Sequence, residues 1–274
     1  HHWQDEADAA YLYRLLAAAE PDPGRRDVYT RLADVEDRHV EVWARLMAEN
    51  GRQPGPFRPS GRTRLLAFLG AGFTDPALGS QAVFRSALQA LAHPGQVVEL
   101  SHDAQVPSHG HGASAALLLA LLDPDCRLWL SPSLAGSDAA AWLRFHTGCV
   151  LVDEPAQAQF AWIGEGDACP SLDTFAPGSD AYPDQSATCV IDVIDIADVA
   201  APAGDGTPRW TLRGPGIQDR TALAVEGLAS TGASAFTAQW SANHALFPRG
   251  VDVFLAAPRR IVGLPRTTRI EQEA

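Results

Sequence analysis

The run TCVIDVIDI, from Thr188 to Ile196, is rich in β-branched residues, with Asp192 and Asp195 interrupting its Val and Ile. Before it stand three shorter runs of the same kind, Arg127–Leu130 (RLWL), Cys149–Val152 (CVLV) and Phe160–Ile163 (FAWI), and after it Arg209–Arg213 (RWTLR) reads as another strand. Helical stretches lie among them; over Gln81–Ala92 the residues Val83, Phe84, Ala87, Leu88 and Leu91 fall on one helix face. Short β-rich runs alternating with helical ones predict an α/β fold, a mixed sheet flanked by helices. Gly214-Pro215-Gly216 is a turn imposed by its residue types. Near the end, Val251–Ala256 and Arg260–Leu264 flank Ala257-Pro258-Arg259, which predicts a hairpin.

The chain has 274 residues, 46% apolar and 20% charged, enough apolar surface for one or two globular cores. Its 21 basic and 33 acidic residues leave a net charge of -12, so it lacks the field that draws nucleic acid or anionic membranes, and neither is an expected partner. Every basic residue is Arg. The absence of Lys excludes Schiff-base catalysis, a lysine-bound pyridoxal phosphate and a Walker lysine. The longest apolar run, near Ala113–Leu122, is about half the ~20 residues that span a bilayer. With no basic flank or apolar leader at its start, the chain is expected to be cytoplasmic. Cys126, Cys149, Cys169 and Cys189 are too widely spaced for a CxxC motif and read as reduced core residues.

Residues 51–70 open with GRQPGPFRPSGRTR, a Pro/Gly/Arg stretch that reads as a linker between residues 1–50 and residues 71–274. Ahead of it, two helical patterns flank Pro21-Asp22-Pro23-Gly24 and predict an α-helical hairpin. On the second helix Val28, Leu32, Val35, His39, Val42 and Leu46 step by 4, 3, 4, 3, 4, the spacing of a seam packed against a partner. On the first, Glu6, Ala9, Tyr13, Leu16 and Glu20 share that spacing, which turns Glu6 toward the packed side, and Glu36 stands one turn from His39 as Glu-x-x-His. Carboxylates directed into a helical interface are costly unless paired or bound to metal. One Glu from one helix with Glu-x-x-His from the next is half of the di-iron carboxylate set of four-helix bundles. Through WQDEADAAYLYRLLAAAE and RLADVEDRHVEVW, residues 1–68 resemble the rubrerythrin-like ferritin domain, including the version that precedes a membrane iron transporter. The resemblance implies a ferritin-like hairpin with Glu6, Glu36 and His39 as iron ligands, Glu20 as an accessory, and a di-iron site completed by dimerisation. The plainer reading makes His39 a hydrogen-bonded seam residue on a solvated acidic face.

In the larger region the motifs Phe73-Thr-Asp-Pro76, Gln81-x-x-Phe84-Arg85, His93-Pro94-Gly95, Leu143-Arg-Phe-His-Thr147, Gly214-Pro-Gly-Ile217, Phe247-Pro-Arg-Gly-Val-Asp252 and Pro265-Arg-Thr-Thr268 occur in that order. They make residues 72–274 similar to the H subunit family of bacterial carbon-phosphorus lyase. That resemblance implies an aminotransferase-like fold without pyridoxal phosphate, a homodimer, and partnership with the G, I and J subunits of the phosphonate-degrading core complex. It further implies an accessory rather than catalytic part in forming ribose 1-phosphonate 5-triphosphate from MgATP and phosphonate. The rival expectation is a ferritin-like iron-binding or ferroxidase protein in which the hairpin is the active part. Two guanidinium-plus-hydroxyl groupings stand out, Arg144 with His146 and Thr147, and Arg266 with Thr267 and Thr268, together with Arg249 and Asp252. Such forks suit phosphonate oxygens, carboxylates of a partner subunit, or local acids such as Asp252. His102, His109 and His111, in SHDAQVPSHGHG, read as a mobile loop before they read as a metal site, and no G-x-S-x-G elbow supports a serine hydrolase.

Overall fold

The computed structural model describes residues 2–20, 22–60, 63, 72–198, 209–228 and 232–272. The chain divides into two compact units, His1–Thr74 and Asp75–Ala274.

The first unit is a hairpin of α1 (His2–Ala19) and α2 (Pro23–Glu49). Asp22 starts α2 by accepting from the Arg25 N–H at 2.8 Å, and Pro23 follows where a missing N–H costs nothing. Ala7, Ala10 and Ala17 on α1 and Ala33 on α2 are buried, so the helices approach on small side chains. Arg14 pairs with Asp37 across the hairpin. The expected seam of α2 is not the face that α1 covers: Val28, Leu32, Val42 and Leu46 remain 36% to 51% exposed. Larger apolar side chains dominate a periodicity argument, yet close approach selects the alanines instead. The expected linker also needs correcting. Phe57 lies 6.0 Å from the Tyr11 ring, Gln4 Nε2 donates to Arg58 O at 3.0 Å, and Asp8 accepts from Ser60 N at 3.1 Å, so residues 57–60 form a strap along α1. Of the expected linker, residues 61–62 and 64–70 lie outside the described residues.

The second unit contains a seven-stranded sheet in the order β1-β10-β9-β5-β4-β2-β3. Its strands are β1 (Val98–Glu99), β2 (Arg127–Leu130), β3 (Val150–Leu151), β4 (Phe160–Ile163), β5 (Thr188–Asp192), β9 (Asp252–Ala256) and β10 (Arg260–Leu264). From β3 to β9 neighbours run parallel, while β9 with β10 is the predicted hairpin and β1 joins it antiparallel. Helices α3 (Pro76–Ala92), α4 (Gly112–Leu121), α5 (Pro132–Ala135) and α6 (Asp138–Thr147) connect or flank these strands. On α3 Val83, Ala87 and Ala90 are buried, whereas Phe84 and Leu88, placed on the same face by the sequence pattern, are 44% and 51% exposed.

TCVIDVIDI is not one strand. It breaks at Val193–Ile194, and β6 (Asp195–Asp198) joins a second, antiparallel sheet ordered β11-β7-β8-β6 with β7 (Arg209–Arg213), β8 (Thr221–Glu226) and β11 (Arg269–Gln272). Helix α7 (Gly232–Ala245) packs on β11. Its Phe236 stacks on Trp210 of β7 with centroids 5.3 Å apart, and Trp240 Nε1 donates to Thr268 O at 2.7 Å. One apolar core runs from Ile191 and Leu255 of the large sheet to Trp210 and Val225 of the small one. All four cysteines are unpaired, with Cys149 and Cys189 buried, and burial drives Cys189 well above the ordinary thiol range.

Burial raises the Asp8 carboxyl, but hydrogen bonds from Ser60, Thr63 and Gln4 outweigh it and hold the group below its ordinary 3.8. A carboxyl depressed in the folded state stabilises fully above its unfolded value and loses that contribution as pH falls through the folded one. Asp8→Ala is expected to cost the hairpin unit about 1–3 kcal/mol at neutral pH by orphaning the strap's donors. The difference from wild type should shrink below pH 3.8, and denaturant melts monitored by circular dichroism at several pH values test this; a difference independent of pH refutes it.

Candidate functional site

Parallel strands β2, β4, β5 and β9 deliver their carboxyl ends to one side of the sheet, the position where α/β proteins place ligands. Asp192 ends β5 there, 2% exposed. Its Oδ2 accepts from His111 N at 2.9 Å, and its Oδ1 accepts from Trp162 Nε1 at 3.0 Å and from the Ser114 hydroxyl. Burial pushes its pKa above the ordinary value, with Ser114, His111 and Trp162 pulling it down. Gly110 crosses the Trp162 indole where a Cβ would come within 2.2 Å of the ring, so a glycine with φ +79° is required.

His111 is thereby fixed, which corrects the mobile-loop expectation. Its Nδ1 lies 2.9 Å from Ala256 O and its Nε2 2.9 Å from Glu165 Oε2. Both partners are acceptors when Glu165 is ionised, so one extra proton must be shared between imidazole and carboxylate for both contacts to be hydrogen bonds. His109 turns elsewhere, placing Nδ1 2.8 Å from Asp138 Oδ1, while the Ser108 hydroxyl donates to Asp138 Oδ2 at 2.7 Å. Burial raises Asp138, and the hydrogen bonds from Ser108 and His109 more than offset it, leaving the carboxyl below its ordinary value. Ser108 Oγ and Asp138 meet the same ring nitrogen of His109, so no Ser-His-Asp relay exists there. His109 and His111 thus take different carboxylates and do not form a shared chelate.

The two guanidinium groupings fare differently. Arg144, His146 and Thr147 occupy the last turn of α6. Arg144 is exposed, His146 packs against Trp142 with centroids 5.0 Å apart, and the buried Thr147 hydroxyl donates to Leu143 O and receives Cys149 N. Arg266 is turned inward: its Nε and Nη2 donate to Asp252, Nη2 also reaches the Ser186 hydroxyl, and Nη1 donates to Pro183 O at 2.7 Å. These partners sit at the amino ends of β5 and β9, opposite Asp192. Thr268 is fully buried, and Thr267 presses its carbonyl against Gly214, so this grouping fastens the fold. Arg249 Nε lies 3.2 Å from Asp180 Oδ1. The two hydroxyls of Thr147 and Thr268 are therefore not presented to a ligand. Asp192 and His111 organise this edge, and their signals in the sequence are an acid inside an apolar strand and a Gly-flanked His ahead of an apolar helix.

In the hairpin unit Glu6, Glu36 and His39 converge, each offering one ligand atom within 4.8 Å of the others. His39 Nδ1 lies 3.1 Å from Glu36 Oε2 and 3.5 Å from Glu6 Oε2. A hydrogen bond shared with Glu6 and then burial raise Glu36, only partly offset by His39. Glu20 is kept apart, accepting from Asp22 N at 3.0 Å and lying 3.6 Å from Arg25 Nε.

The α/β unit, with its chain of partly buried polar groups along the carboxyl ends of a mixed sheet, is that of a bacterial phosphonate metabolism protein. Residues 71–271 match the model of that family, PhnH, and the chain belongs to it. It is 40% identical over 201 residues, 73% of this chain and 94% of the relative, to "Alpha-D-ribose 1-methylphosphonate 5-triphosphate synthase subunit PhnH" of Rhizobium meliloti (strain 1021). It is 33% identical over 193 residues, 69% of this chain and 85% of the relative, to "Putative C-P lyase subunit protein HtxG" of Stutzerimonas stutzeri. The matched region begins at residue 71, after the hairpin.

Asp192→Asn replaces one of two accepting oxygens by an NH2 that opposes either His111 N or the Ser114 and Trp162 donors. It is expected to destabilise the α/β unit by about 1–3 kcal/mol and to shift the Trp emission. Urea unfolding followed by fluorescence measures both, and an unchanged midpoint shows that the carboxylate is dispensable.

Proposed function

We infer that the chain serves phosphonate catabolism as the PhnH subunit of the ribose 1-methylphosphonate 5-triphosphate synthase of the carbon-phosphorus lyase complex. The carrying observation is 40% identity that spans 94% of the named synthase subunit. Its part there is accessory. The chain has no Lys, and at the carboxyl edge of its sheet the carboxylates of Asp138 and Asp192 are engaged by the protein's own donors. The fold is read as a relative of the pyridoxal-phosphate aminotransferases that works without the cofactor, in the cytoplasm, as a homodimer joined to the G, I and J subunits. Exposed Phe84 and Leu88 on α3 and Phe145 on α6 support subunit contacts by this unit.

A second reading concerns the hairpin and rests on the convergence of Glu6, Glu36 and His39. Two carboxylates facing one another beside an imidazole suit a divalent cation, whose charge would offset their mutual repulsion. We assign this set to iron, with two hairpins joined along Val28, Leu32, Val42 and Leu46 supplying a pair of irons. Bound metal would supply positive charge to neutralise the facing carboxylates, and His39 would orient through its Nδ1.

Affinity purification of the tagged chain from a phosphate-starved host is expected to recover the other complex subunits, and a chain beginning near Gly70 to recover the same set. Failure of the full chain to retain any of them refutes the functional reading. Light scattering should give a dimer at micromolar concentration. Titration with ferrous iron, desalting and metal analysis should leave about two irons per dimer in wild type and none in Glu36→Ala. Equal retention by both returns His39 to a helix-surface role.

A further inference from the structure

Two turns that stand out in the sequence, His93-Pro94-Gly95 and Gly214-Pro215-Gly216-Ile217, meet in the folded chain. Gly95 has φ +83°, and a Cβ there would come within 2.6 Å of Leu212 and Thr221; Gly216 has φ +83°, and its Cβ would come within 2.1 Å of Ala92 O. Interlocking of the end of α3 with the β7–β8 hairpin explains the glycines. It does not explain the polar side chains around the junction, where a cavity of about 930 Å3 opens. That volume is within the range of small-molecule sites. His93, Gln96, Gln218, Arg220, Thr221 and Asp198 line it.

The charges of this lining are unevenly spent. Asp219, at the same rim, lies 3.5 Å from Arg213 Nη1. Among the described residues no carboxylate comes within ion-pair distance of Arg220, so its guanidinium is available to an anion in the cavity. His93 Nδ1 lies 3.2 Å from Gln89 O. A carbonyl only accepts, so Nδ1 carries the proton and Nε2 is left to accept from a ligand hydroxyl or, once protonated, to face an anion. Gln96 and Gln218 each offer a donor and an acceptor, and Asp198 is an acceptor without a cation among the described residues. A guanidinium beside an imidazole answers phosphoryl or phosphonyl oxygens; two carboxamides and a carboxylate answer a row of hydroxyls.

We propose that this cavity binds a sugar carrying a phosphate or phosphonate group, with Arg220 and His93 on the anion and Gln96, Gln218 and Asp198 on the hydroxyls. The choice of a sugar rests on the reading of the chain as a PhnH subunit, whereas the anion follows from the lining alone. The cavity lies where the end of α3 meets β6 and the β7–β8 hairpin, and neither Asp192 nor its donors line it.

Calorimetric titration of the full chain with ribose 5-phosphate, and separately with ribose and with methylphosphonate, tests this. Ribose 5-phosphate should bind once per chain, and more tightly than either fragment. Arg220→Ala should weaken it about tenfold or more, the loss of one charge-assisted contact, and His93→Gln should weaken it less. Arg85→Ala, on α3 outside the cavity, should leave it unchanged. Absence of binding at millimolar ligand, or affinity unchanged in both cavity variants, overturns the proposal. Capture of partner subunits by the same proteins separates the two readings. A chain that captures partners but takes no sugar phosphate keeps the PhnH reading and loses the cavity; one that binds the ligand but captures nothing does the reverse. Variants that lose partners while wild type binds no ligand make the rim a subunit contact and also overturn the proposal.

Discussion

Asp192 closes the central strand of the large sheet with a carboxylate taken out of water, and three donors from three places must come to it: the His111 backbone, the Ser114 hydroxyl and the Trp162 indole. A buried acid held this way is favourable only when all of its acceptor sites are used. The start of α4, the loop ahead of it and the end of β4 are therefore not independent choices. Glycine at position 110 follows, because the loop must pass flat over the indole whose N–H is already committed. So does the placement of His111 between Ala256 O and Glu165, since its own N–H is the donor that fixes the ring's starting point.

The opposite ends of the same strands are held by a charge of the other sign. Arg266 arrives from beyond β10 and distributes its guanidinium over Asp252, Ser186 and Pro183 O, tying the amino ends of β5 and β9 to the segment that leads into the small sheet. A planar fork reaching several acceptors at fixed angles is a task for Arg and not for Lys. The central strands are thus clamped at both ends by polar groups, with mainly apolar side chains between them.

Much of this was legible in the residues. The strands were visible because Val, Ile and aromatic runs are short and bounded, and the β9–β10 hairpin because Pro258 sits between two such runs. The small sheet was less visible: β8 reads TALAVE, whose alanines carry no strand signature, and β6 was hidden inside a run that looked continuous. Helical seams misled for a related reason. Periodicity weighs large apolar side chains, so Val28 and Leu32 outvoted Ala33, and Phe84 outvoted Ala90, although close helix approach buries the alanines. The convergence of Glu6, Glu36 and His39 was readable because i, i+3 spacing fixes neighbours on a helix. The fate of Thr147 and Thr268 was not, because a hydroxyl spent on the backbone, as in Thr147, or shut into the core, as in Thr268, looks in a sequence like one offered to a ligand.

The break at Val193–Ile194 carries one polypeptide segment from the middle of the seven-stranded sheet into the edge of the four-stranded one within two residues, and Val193 N is itself held by Ala256 O at 2.9 Å. With so little slack, neither sheet can open its hydrogen bonds without dragging the other, and the shared core of Ile191, Trp210 and Leu255 couples them again from inside. Backbone amides paired inside both sheets are therefore expected to share a single opening event and one opening free energy, that of the whole α/β unit. The hairpin, built on an alanine interface of its own, opens on its own schedule.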